Sequence, residues 1–70
     1  MTIEEAKRLH QDALMALPGV VSVGIGLNAE KTPTIMVGVK DIRAATVSRI
    51  PRALEGHPIE VFEAGTLRAL

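Results

Sequence analysis

No cysteine occurs among the 70 residues, and that absence governs everything the chain can do to stay folded. Domains this small bury a modest share of their surface and are usually reinforced by disulfides, a structural metal or oligomerisation. Without cysteine, disulfides and thiolate-bound zinc are both excluded. Two histidines, His10 and His57, are too few for a structural metal site, so no metal or other cofactor is expected. Burial and self-association remain. Hydrophobic residues supply 47% of the chain, which rejects disorder and supports one domain spanning residues 1–70.

Charge narrows the partners. Eight basic and eight acidic residues cancel, whereas nucleic-acid binders carry a net basic field. Phe62 is the sole aromatic residue, so no row of rings exists on which bases could stack. The opening Met-Thr-Ile-Glu-Glu has neither the basic start nor the apolar run of a signal peptide, and no stretch approaches membrane-spanning length. These features lead us to expect a cytoplasmic protein that binds neither nucleic acid nor membrane.

Thr2 and Glu5 have the spacing of a capping box, followed by Ile3, Ala6, Ala13, Leu14 and Leu17 on one helical face. Pro18-Gly19 ends that helix. Val20 to Leu27 then alternates as a strand, placing Val21, Val23, Ile25 and Leu27 opposite Ser22, Gly24 and Gly26. Thr34 to Lys40 repeats the pattern, with Ile35, Val37 and Val39 inward, and the polar residues between the two runs predict a hairpin. Asp41 is placed to cap a second helical stretch carrying Ala44, Val47, Ile50 and Leu54, interrupted by Pro51 and stopped by Gly56. Pro58 to Glu63 predicts a third strand with Ile59 and Val61 inward.

The order α-β-β-α-β is that of an α+β, ferredoxin-like sandwich lacking its usual first strand. That strand sits mid-sheet, and an empty slot would expose two edges ready to recruit another strand. Either residues 66–70 turn back to fill it, in a permuted version of the fold, or another chain does.

Ser22, Gly24, Gly26, Met36, Gly38 and Phe62 are expected on the sheet face turned away from the helices. Small residues there admit close approach of another backbone, which makes this face a candidate interface. The competing reading is that Phe62 lies over the glycines and shields its own strand.

No catalytic constellation emerges. His10 falls within the apolar face of the first helix, where a lone histidine is more often a rim residue bonded to backbone than a catalyst. Ser22 and Ser48 lack a nucleophile turn. The carboxylates suit solvated faces and caps, and Arg43, Arg49 and Arg52 can pair with Glu55, Glu60 and Glu63.

The run Leu17-Pro-Gly-Val-Val-Ser-Val-Gly-Ile-Gly26, the strand Ile35 to Val39 and the ending Ile50-Pro-Arg-Ala-Leu-Glu-Gly-His-Pro-Ile-Glu-Val61 resemble a small domain of bacterial proteins. That domain, ferredoxin-like and similar to heavy-metal-associated domains, occurs alone or ahead of trypsin-like serine peptidase domains. The resemblance implies an accessory module with no catalytic residue to carry over, since the peptidase part is absent here. Heavy-metal-associated domains also place a Leu-Pro-Gly-Val-x-Ser-Val run after a helix, but they bind metal through two cysteines that this chain lacks. The expectation is therefore a non-enzymatic protein-interaction or self-assembly module, a homo-oligomer or the docking site of a protein partner. The alternative is a small-ligand-binding regulatory domain.

Overall fold

The computed structural model of the chain describes residues 1–43 and 45–64. Helix α1 spans Ile3–Met15, strand β1 Val20–Leu27, β2 Pro33–Val39, β3 Ala53–Leu54 and β4 His57–Glu63. A 3-10 helix, Ala45–Arg49, lies between β2 and β3. The result is an α+β fold in which α1 packs on one face of a four-stranded mixed sheet of order β1-β2-β4-β3.

Helix α1 starts where the capping box requires. The Thr2 hydroxyl accepts from the Glu5 N–H at 3.1 Å, and the Glu5 carboxylate accepts from the Thr2 N–H at 2.9 Å. Its buried stripe is Ile3, Ala6 and Leu14, with Leu17 packed alongside. Ala13, expected inside, is exposed. At 3.6 residues per turn the stripe centres on His10, and Ala13 falls at its margin beside exposed Leu9. Gly19, at φ +85°, turns the chain into β1, and its carbonyl accepts from the Lys40 N–H at 2.8 Å.

Strands β1 and β2 form the expected antiparallel hairpin, in register from Ser22↔Gly38 to Leu27↔Pro33. The Asn28 side chain organises its loop, its Oδ1 accepting from the N–H groups of Glu30 and Thr32. A bulge between Val20 and Ser22 breaks the simple alternation. Val20 is buried and paired with Val39, whereas Val21, expected to face inward with Val23, is 41% exposed. Ile35, Val37 and Val39 on β2 are almost wholly buried and form the centre of the core with Ile3, Ala6, Leu14, Val20 and Ile50. Burial of each Val, Leu or Ile side chain among them contributes roughly 1.5–3 kcal/mol.

The expected second helix is reduced to the single 3-10 segment. Among the described residues Asp41 caps no helix: its carboxylate accepts from the Arg43 N–H at 3.0 Å in a local turn. Ile50 and Val47 still reach the core, but Pro51 ends the helical segment before a full amphipathic stretch forms. Ala44 lies outside the described residues.

After it, the chain makes a feature the sequence pattern did not reveal. Ala53–Leu54 pairs with His57 and Pro58 across a two-residue turn whose central residues, Glu55 and Gly56, have φ of +52° and +82°. Positive φ at both positions is the primed hairpin geometry that matches strand twist. Gly56 thus completes a hairpin rather than stopping a helix. The third expected strand, β4, begins one residue early at His57, with Ile59 and Val61 against the core and Phe62 outward as expected.

The central slot does not stay open. β4 pairs directly with β2, in parallel, from Ile35↔Ile59 to Val39↔Glu63. In the ferredoxin-like order the strands that correspond to β2 and β4 are also parallel, with the missing strand between them. Here they close up, so neither a tail strand nor another chain is needed between them. The segment 66–70 lies outside the described residues.

Candidate interaction surface

The outer face of the sheet holds all six candidate residues. Register pairs bring Ser22 beside Gly38 and Gly24 beside Met36, and Gly26 beside Thr34, while Phe62 stands next to Gly38 on β4. They do not form one bare glycine floor. A Cβ added at Gly38 would collide with Ser22 Oγ and lie 3.1 Å from the Ala64 Cβ and 3.2 Å from Phe62 Cζ. One added at Gly26 would lie 3.1 Å from Met36 Cγ. Phe62 and Met36 therefore fold over Gly38 and Gly26, as the shielding reading expects for Phe62. Of these three outer-face glycines Gly24 alone is open, with no described atom within 4 Å of an added Cβ.

The edges of the sheet differ from one another. On the β4 side, β3 covers the first part, and Pro58, Glu60 and Glu63 fall along the strand. Proline and charge are the usual guards of a strand edge. At the opposite end β1 is an edge strand of eight residues, Val-Val-Ser-Val-Gly-Ile-Gly-Leu, with neither charge nor proline. It exposes 41% of Ile25 and 63% of Leu27. Sequence reasoning assigned Ile25 and Leu27 to the core and missed this edge. The signal was the uncharged run itself, legible only once the strand order places it outermost.

Among the described residues, ladder geometry fixes which backbone groups of β1 have no partner. The Asn28 N–H donates to the Thr32 carbonyl, so Asn28 faces β2. Antiparallel bonding alternates, so Gly26, Gly24 and Ser22 also face β2, and Leu27, Ile25 and Val23 point their N–H and C=O groups outward. Above this edge, Ile25 lines an open cleft of about 340 Å³ with Glu4, Lys7, Arg8 and Gln11 of α1.

His10 ties α1 to the β3–β4 turn, and His57 at the start of β4 holds the residues ahead of α1. His10 Nε2 donates to the Glu55 carboxylate at 3.1 Å, and both side chains are about one-third exposed (31% and 38%). His57 Nε2 donates to the Met1 carbonyl at 2.8 Å. His10 thus has a side-chain partner from the far end of the sequence, not the backbone partner expected. Among the described residues no three His, Asp or Glu side chains come together to hold a metal ion. Arg43 lies 3.6 Å from Asp41, and no described ion pair joins Arg49 or Arg52 to Glu55, Glu60 or Glu63. No described helix is long and apolar enough to cross a membrane.

Comparison with protein-family models, with curated proteins and with solved structures gives no match.

Proposed function

We propose that the chain is a non-enzymatic protein-interaction or self-assembly module that works through the edge of β1 and the adjoining outer face of the sheet. The observation that carries this reading is the unguarded edge: eight uncharged, proline-free residues at one end of the sheet, with Ile25 and Leu27 exposed. A row of free backbone donors and acceptors beside apolar side chains is a template for another strand. The outer face contributes around Gly24, where a partner can approach closely, and through Phe62, which is 38% exposed. Self-association also supplies the reinforcement that a cysteine-free domain of this size lacks. The accessory role implied by the resemblance agrees with it.

Absolute mass from light scattering across a range of concentrations tests the self-assembly form of the proposal. A mass that settles at a multiple of the 7.5 kDa chain is expected. A value fixed at 7.5 kDa throughout would leave only docking on a different protein.

A further inference from the structure

We infer that the occupant of the β1 edge is a second copy of this chain, joined by antiparallel β1–β1 pairing about a two-fold axis at Gly24. The inference rests on the interaction-module reading and names its partner.

Three observations favour a copy of the chain itself. First, a two-fold axis makes any antiparallel edge complementary to itself, because each outward donor meets the same strand's outward acceptor. Outward-pointing residues must face outward-pointing residues, and they occupy odd positions in the strand after the bulge. With the axis at Gly24, Val23 faces Ile25 of the other copy on either side of it, and both pairs lie clear of the bulge at Val21. The axis then falls where the outer face is open, since no described atom lies within 4 Å of a Cβ added at Gly24.

Second, like meets like without repulsion. Val20–Leu27 carries no charge, and the whole chain sums to zero. Around the Ile25 cleft, α1 offers both signs, Glu4 beside Lys7 and Arg8.

Third, the inner face leaves room. Helix α1 packs on β1 and β2, and a two-fold axis perpendicular to the sheet puts the helix of the second copy on the same face, beyond the axis. Ile25 is 41% exposed because nothing covers the sheet beyond α1 among the described residues. The second helix would close over that cleft.

The absence of native cysteine makes the test direct. At the axis, residue 24 of each copy forms a non-hydrogen-bonded pair with Cα atoms about 4.5 Å apart, within disulfide reach. Gly24→Cys has space for its side chain. Under mild oxidation it should form a disulfide-linked dimer about tenfold or more faster than Ala29→Cys in the exposed loop, because pairing raises the local thiol concentration. Ile25→Lys, and independently Leu27→Lys, should give 7.5 kDa monomers by light scattering with an unchanged far-UV circular dichroism spectrum. Both positions are exposed, so folding should survive. Suppose the wild type is dimeric but Gly24→Cys cross-links no faster than Ala29→Cys, or both lysine variants remain dimers. A failed cross-link overturns the Gly24 axis and dimeric lysine variants overturn β1 pairing altogether, while self-assembly stands. A wild type monomeric at every concentration overturns the second-copy inference itself.

Discussion

Glu55 holds a left-handed backbone, φ +52°, that a residue with a Cβ adopts only at a cost of about 1–2 kcal/mol. Its carboxylate bond to His10 offsets part of that cost. Because both side chains are about one-third exposed (31% and 38%), the bond is worth no more than about 0–1 kcal/mol. Asparagine tolerates this conformation better and is the favoured partner of glycine in such a turn. Glu55→Asn is therefore expected to raise stability by about 0.5–1 kcal/mol, or a few degrees in Tm for a domain this size. A thermal melt followed by circular dichroism measures it, and a lower Tm would show that the His10 contact outweighs the turn strain. None of this was readable from the sequence. His10 and Glu55 are 45 positions apart, and only the β3–β4 hairpin brings them together.

Among the elements, the strands were legible and the second helix was not. Alternating apolar residues identified β1, β2 and β4, although β2 is buried on both faces, with Thr34 and Gly38 covered on the outer one. The capping box and Pro18-Gly19 bounded α1 for equally local reasons. Ala44, Val47, Ile50 and Leu54 have helical spacing, yet Pro51 divides them and the hairpin claims Leu54 for β3. The bulge at Val21 could not be read, since it depends on the match between β1 and β2 rather than on either strand alone. The six candidate residues share a face because strand alternation puts them there. Phe62 over Gly38 was one of the two readings the sequence offered, but the closeness of Ser22 from β1 and Ala64 from just beyond β4 was not foreseeable, because it depends on the strand order. A testable contrast follows from that convergence. Gly38→Val should destabilise by about 1–3 kcal/mol through overpacking, whereas Gly24→Ala should leave the urea midpoint unchanged or slightly higher. Equal effects at the two positions would mean that Phe62 does not seal Gly38.

At the scale of the whole molecule, the sheet closes around β2. Antiparallel β1 takes one of its edges and parallel β4 the other, while α1 covers the inner face. The α+β class followed from the sequence because element order and apolar period agree. The direct β2–β4 pairing did not, because the sequence shows which strands exist but not how far a sheet will contract when one is missing. That enclosure also makes β2 the molecule's internal clock. Its amides from Ile35 to Val39 point alternately at two neighbouring strands, so no small fluctuation delivers them to solvent. They should be the last to take up deuterium, at a rate set by the opening of the entire domain, whereas the outward amides of Val23 and Ile25 should exchange early in any isolated chain. Read residue by residue, deuterium uptake along β2 would report the free energy of the complete fold without any denaturant.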